Sequence, residues 1–121
     1  MTGFGFTSRF KIKKTDEFSS VFNFRKRING VALTLHYMPN QLGHARLGVV
    51  VGKKTAKRAV QRNYMKRVLR ELFRQQQSVL AGVDILARPQ KAFTRPEYAM
   101  IRDEFLQLLE RLRERTGSRQ T

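Results

Sequence analysis

Cysteine is absent from the 121 residues, which removes at once a disulfide framework, a thiolate-held zinc site and thiol catalysis. The interior is therefore held by packing, and a chain of this length can bury one core of modest size without cross-links. No apolar run approaches the roughly 18 to 20 residues that cross a bilayer, and Met1 to Lys14 lacks the apolar stretch of a signal peptide. The expectation is a cytoplasmic protein with no membrane partner. Acids are scarce too: 9 Asp and Glu stand against 25 Lys and Arg, a formal net charge of +16. Self-repulsion of that size opposes compaction unless a polyanion offsets it, so a nucleic acid is the expected partner.

Histidine is nearly missing as well. His36 and His44 are the only two, and with no cysteine to join them no metal site and no bound cofactor are expected of the protein itself. No Ser/His/Asp arrangement stands out, and Asp16-Glu17 and Asp103-Glu104 read as ordinary neighbours on helix surfaces. Acid-base catalysis by the polypeptide is not expected.

What the chain does have is local concentration of charge. From Lys53 to Arg74 there are nine basic residues (Lys53, Lys54, Lys57, Arg58, Arg62, Lys66, Arg67, Arg70, Arg74) against the single acid Glu71, a net of +8 within 22 positions. Glu97 to Arg115 is nearly neutral by comparison. A footprint this local is what a binding face requires.

Pattern along the chain predicts one mixed α/β (α+β) domain. Residues 1–14, basic and broken by Gly3 and Gly5, read as a flexible arm; 15–115 form the domain and 116–121 a frayed tail. Thr15 can cap a short helix whose first turn holds Asp16 and Glu17 and whose Phe18, Val21 and Phe22 share a face, ending near Phe24 to Arg27. Val31 to Met38 alternates as a strand with one buried face made by Val31, Leu33, Leu35 and Tyr37. Pro39, Asn40 and Gly43 make a turn, and Arg46 to Gly52 is a second strand, expected to pair with the first as a hairpin. Gly48 within it suggests close approach of another backbone or a ligand.

Thr55 to about Leu80 has the spacing of a long helix, with Val60, Tyr64, Val68 and Leu72 four apart and Leu69 beside them, and Gly82 stops it. Val83 to Arg88 is a further strand closed by Pro89. Thr94-Arg95-Pro96-Glu97 then has the form of a capping box ahead of a last helix whose Tyr98, Ile101, Phe105, Leu108, Leu109 and Leu112 face inward.

On the central helix Arg62, Lys66, Arg70 and Arg74 align four apart, with Asn63 and Arg67 at the stripe's edge. Arginine forks suit phosphate oxygens and lysines act as point charges. The alternative, a merely solvated helix face, normally intersperses acids at i,i+4, and here only Glu71 does so. The aromatic pair Phe18 and Phe22 has two readings. Either both are core, or they form a stacking platform for unpaired bases, with Lys13, Lys14, Arg25 and Lys26 as the nearby charge.

The run Arg-Leu-Gly-Val-Val-Val-Gly-Lys-Lys from Arg46 to Lys54, followed by Lys57-Arg58-Ala59-Val60-Gln61-Arg62-Asn63-Tyr64-Met65-Lys66-Arg67-Val68-Leu69-Arg70-Glu71, resembles the signature of the bacterial ribonuclease P protein family. Agreement extends from Arg9-Phe10 and the Asp16-to-Phe22 helix to about residue 112. The resemblance implies three helices on a small four-stranded mixed sheet in the order α-β-β-β-α-β-α, with a left-handed strand-helix-strand crossover where the general rule favours the right hand. It implies a subunit of an endoribonuclease that binds the catalytic ribonuclease P RNA and precursor transfer RNA, one protein per RNA. The chemistry belongs to the RNA and its magnesium ions, and the product is the mature 5′ end.

Carried over by position, Lys53, Lys54, Arg62, Asn63, Lys66, Arg67 and Arg70 correspond to the face toward the catalytic RNA, and Lys57 and Arg58 are expected to bind RNA beside them. Phe18 and Phe22, with Lys13, His36 and Arg46, correspond to the cleft that holds the single-stranded 5′ leader. Tyr64 replaces the second arginine of the family's Arg-Asn-Arg motif. His36 lies where many members carry an aromatic residue, so either it stacks instead or Tyr37 does so from a shifted register. Two other classes remain on composition alone: a ribosomal or ribosome-assembly protein using the same basic helix, and a DNA-binding module, which is disfavoured because a strand rather than a helix-turn-helix precedes that helix.

Overall fold

The computed structural model describes residues 11–12, 15–76, 80 and 82–116. Helix α1 (Thr15–Phe24) leads into β1 (Arg27–Asn29), β2 (Leu33–Pro39) and β3 (Arg46–Val49); α2 (Ala59–Gln76), β4 (Val83–Pro89) and α3 (Tyr98–Thr116) follow. The four strands form one sheet in the order β1-β2-β4-β3. β4 runs antiparallel to β2 and parallel to β3, so the fold is α+β with a mixed sheet and a β3-α2-β4 crossover.

The expected hairpin of the second and third strands does not form. β4 inserts between them, and Tyr37 and Leu47 both take Ile85 as neighbour. The turn expected at Pro39 to Gly43 does exist, with Gln41 and Gly43 at positive φ of 69° and 81°, but it carries the chain across a gap that a later strand fills. β1 has only three residues, too few to show a period. Val31, expected in the core, is 77% exposed. It sits in the β1-β2 turn closed by Gly30 N–H donating to Leu33 C=O at 2.7 Å.

The expected single buried face of β2 is also corrected, since Leu33 through Tyr37 are all buried. Side chains pack on both sides of the sheet, over only part of the side that carries α1. Leu33, Leu35, Tyr37, Leu47, Val49, Ile85 and Ala87 pack in the larger core with Met65, Leu69 and Phe73 of α2 and Phe105, Leu108 and Leu112 of α3. On the other face Leu86 meets Val21, Ile12 and the partly buried Phe18 and Met38. Ile12 reaches that face because its N–H donates to Leu47 C=O at 3.0 Å; residues 1–10 and 13–14 of the expected arm lie outside the described residues. The close neighbour of Gly48 is the Phe18 ring, which a β-carbon there would meet at 2.7 Å.

α2 starts at Ala59 rather than Thr55. Residues 52–58 are turns, begun by Thr55 and Ala56 N–H donating to Gly52 C=O at 3.0 and 3.1 Å. Four cations, Lys53, Lys54, Lys57 and Arg58, would oppose the positive end of the helix dipole, and no acid stands in the first turn to offset them. Its buried side chains are Met65, Val68, Leu69, Leu72 and Phe73; Val60, expected among them, is 69% exposed.

On α3 the pair Asp103-Glu104, expected to be plain surface, divides: Glu104 is structural. Its Oε2 accepts the N–H of both Ala32 and Leu33 at 2.8 Å, and Gly30 leaves the room, since a β-carbon there would lie 2.3 Å from the same oxygen. At the helix entry Glu97 accepts Thr94 N–H at 2.7 Å, as the capping pattern anticipates. Glu104→Ala strips an acceptor from two backbone donors and is expected to lower unfolding stability by about 2 kcal/mol. A urea denaturation difference under about 0.5 kcal/mol would show that the turn finds other partners.

Candidate nucleic-acid interface

The face of the sheet that carries α1 is only partly covered. By register, Arg27, Asn29, Thr34, His36, Met38, Asp84, Leu86, Arg88, Arg46 and Gly48 share it. α1 lies over one end, where Glu17 reaches Arg46 at 3.1 Å and Phe18 sits on Gly48. The other end is open. Two hollows of about 570 and 500 Å³ share Arg27 and Arg88; Phe22, Arg25 and His36 line the first, and Asn29, Thr34, Val50, Gly52, Thr55 and Gln90 the second. Together they make a groove running from the end of α1 to the loop that bears Lys53 and Lys54. Among the described residues no carboxylate lines it.

Its wall at α1 is made by Phe22, 38% exposed, whose ring meets His36 edge-on with centroids 4.7 Å apart. Just beyond, Arg25 holds a φ of 65°, the left-handed conformation that usually ends a helix through glycine and that costs a larger residue roughly 1 kcal/mol. That strain turns the chain from α1 into β1 and leaves Arg25 on the groove.

His36 is 5% exposed and faces the groove, while Tyr37 points into the opposite core, so of the two candidates it is the histidine that lines this side. Burial first, then the positive charges of Arg88 and Arg27, push the His36 pKa below its usual value. Both effects favour the neutral imidazole. Its Nε2 and the Nε of Arg88 are buried nitrogens with no hydrogen-bond partner, a costly state in which each unsatisfied group forfeits about 1–3 kcal/mol.

Arg46 stands apart from the other groove candidates. Its Nε and Nη2 grip Asp84 at 2.8 and 2.6 Å, its Nη1 reaches Glu17, and those bonds raise its pKa further. Its charge is committed within the fold. Lys13, the remaining candidate for this cleft, lies outside the described residues.

The second charged surface is α2 with the turns before it. Lys53, Lys54, Lys57, Arg58, Asn63 and Arg67 are exposed, and Lys66 and Arg70 are half-buried. Arg74 is occupied by Glu71, whose pKa it lowers. Arg62 serves the fold, because its Nη1 donates to the carbonyls of Ala56 and Lys57 at 2.9 and 2.8 Å and so closes the turn ahead of the helix. The rest of the set forms no ion pair among the described residues. The two charged surfaces thus lie on opposite layers of the sheet, joined by the 50–58 segment.

Arg27 and Arg88 escape sequence reasoning. A three-residue strand and one arginine beside a proline offer no pattern, and only the register with His36 and Thr34 brings them together. Among the described residues no three His, Cys, Asp or Glu side chains gather where they could hold a metal ion, and no helix is long and apolar enough to cross a membrane.

A model of the family described as Ribonuclease P matches residues 6–113. The ribonuclease P protein component of Aromatoleum aromaticum is 49% identical over 112 residues, covering 90% of this chain and 92% of its own length. That of Chromobacterium violaceum is 50% identical over 99 residues, 82% of each chain. Among solved structures, the RNase P protein from Thermotoga maritima is similar with a TM-score of 0.72 at 26% identity, covering 84% of this chain and 96% of that one. On these matches the chain belongs to the bacterial ribonuclease P protein family, the protein subunit of an endoribonuclease of transfer-RNA processing.

Proposed function

We propose that this chain binds the catalytic RNA of ribonuclease P through α2 and the turns before it, and holds the single-stranded 5′ leader of precursor transfer RNA in the groove on the other layer. It thereby assists endonucleolytic removal of the leader. One protein serves one RNA, in the cytoplasm. Strand cleavage belongs to the RNA subunit with its magnesium ions; this chain's residues bind and orient.

The observation that carries the leader assignment is a groove in which the exposed Phe22 ring stands beside a cationic rim of Arg25, Arg27 and Arg88. A single strand matches both parts. Its phosphates and base edges accept hydrogen bonds, its unpaired bases offer faces to Phe22, and stacking of that kind tolerates any sequence. For the RNA surface, the support is the row of unpaired cations leading into the amino end of α2, where backbone N–H groups and the dipole favour phosphate. Of the residues proposed for the leader, Phe22, His36, Arg27 and Arg88 carry the contact. Phe18 and Arg46 act by seating α1 against the sheet.

The purified chain, free of RNA, is expected to leave precursor transfer RNA intact, and to restore cleavage at the mature 5′ end at low magnesium once ribonuclease P RNA is added. If the chain leaves the magnesium requirement of the RNA unchanged, the proposal fails. Lys66→Ala with Arg70→Ala spares the turn that Arg62 closes, so it reads RNA binding alone. Affinity for the ribonuclease P RNA should weaken, and the log-log salt slope should flatten by about 0.7 to 0.9 for each phosphate no longer held; an unaltered slope would place α2 off the RNA. Phe22→Ala should cut affinity for the substrate with a leader by roughly fivefold or more while sparing mature transfer RNA. Equal decreases for both would make Phe22 a packing residue only.

A further inference from the structure

Val60 and Tyr64 have the spacing of core residues, yet the buried stripe of α2 is turned away from them. Val60 is 69% exposed and Tyr64 half-buried. With Phe93 they floor a cavity of about 610 Å³ between the start of α2 and the segment joining β4 to α3, within the roughly 300–1,000 Å³ typical of small-ligand sites. The Tyr64 and Phe93 rings meet edge-on with centroids 6.1 Å apart, and the Arg95 guanidinium lies over the Tyr64 ring at 5.8 Å. Arg58 and Arg67 complete the rim, and among the described residues no acid lines the cavity. This shelf shares no residue with the groove beside α1.

An apolar floor within a ring of three guanidinium groups that have no carboxylate partner selects among occupants. Duplex RNA would offer only phosphates and leave the floor wet. A protein partner would have to bring several acids together around an apolar plug. An unpaired nucleobase satisfies both parts, since its π-face fits Tyr64 and the flat Arg95 fork while its own phosphates reach the rim.

We infer that this shelf takes one unpaired base of the catalytic RNA, stacked on Tyr64 beside Arg95, with its flanking phosphates on Arg58 and Arg67. The inference rests on the RNA-binding reading of α2 and deepens it: where the resemblance implies a second arginine on phosphate, this chain reads a base face.

The chain contains no tryptophan, so Tyr64→Trp installs a single fluorescent reporter on the shelf. Titration with ribonuclease P RNA is expected to quench the introduced indole and shield it from acrylamide, with the same midpoint as binding. Tyr64→Ala should weaken RNA binding by about tenfold, the size of one stacked base, without altering the salt slope, and Tyr64→Phe should restore it. Quenching with undiminished binding by Tyr64→Ala overturns the inference, as does weakened binding without quenching. Weakened binding accompanied by a shallower salt slope assigns the position to phosphate and also overturns it. An indole emission that shifts with protein concentration in the absence of RNA makes the shelf a self-association face, and the inference is overturned there too. If the wild-type chain fails to bind the RNA, the proposed function falls together with the inference; if it binds and supports cleavage while the indole stays bright, only the stacked base is refuted.

Discussion

Asp84 is a carboxylate 2% exposed on the strand that the chain makes last and places between two others, and the geometry of both charged surfaces depends on what it holds. Its Oδ1 accepts from Asn40 in the β2-β3 turn and from Arg46 Nε on β3, each at 2.8 Å, and its Oδ2 takes Arg46 Nη2. Asn40 also secures its own turn by accepting Leu42 N–H and donating to His44 C=O. Arg46 passes the linkage on to Glu17 of α1. A buried pair of this kind adds little net stability over an apolar substitute, but removing one partner strands the other and costs about 3–5 kcal/mol. Its service is registration: β4 is fixed against β3, and α1 is fixed over one end of the sheet so that the other end stays open.

The same economy governs seven of the nine acids in the chain. Glu17 and Asp84 hold Arg46, Glu104 holds the β1-β2 turn, and Glu97 holds the start of α3. Glu71, Asp103 and Glu110 each face an arginine on their own helix. Carboxylates stand where the fold needs an acceptor and are withheld from the groove, the shelf and the turns ahead of α2. The net charge of +16 is therefore resolved into surfaces, and the self-repulsion that it creates is greatest where a polyanion would relieve it.

The elements are largely legible in the sequence because local period and capping chemistry set them: α1 from Thr15, the strand ended by Pro89 and the inward row of α3 follow from spacing alone. Pairing is not legible. Period identifies the face of a strand but not its neighbour, so β2 and β3 read as a hairpin until β4 is seen between them. Alternation sets His36 and Tyr37 on opposite faces, but it does not show that the face of Thr34 and His36 is buried as well. In the site, the cations are legible as a cluster, but their duties are not. Arg46, Arg62 and Arg74 are spoken for by a carboxylate, by two carbonyls and by Glu71, and nothing in the sequence around an arginine tells these duties apart. Val60 misleads for a related reason: on a helix that packs by one narrow stripe, a residue two turns before Val68 has already rotated to its edge.

Two charged surfaces on opposite layers matter because the link between them is short and fixed. β3 contributes its inward residues to the α2 core, its outward Gly48 to the seat of Phe18, and its continuation at Val50 and Gly52 to the groove. Two turns later the same segment is closed by Arg62 and becomes the amino end of α2. A strand in the groove and a folded RNA on α2 would therefore be held at a separation set by one sheet and one turn, with no hinge between them. Orientation of that kind needs no reactive group from the protein. It needs only that the groove and α2 stay fixed relative to each other, and Asp84 with Arg46 ties one end of β3 into the fold while Arg62 closes the turn beyond the other.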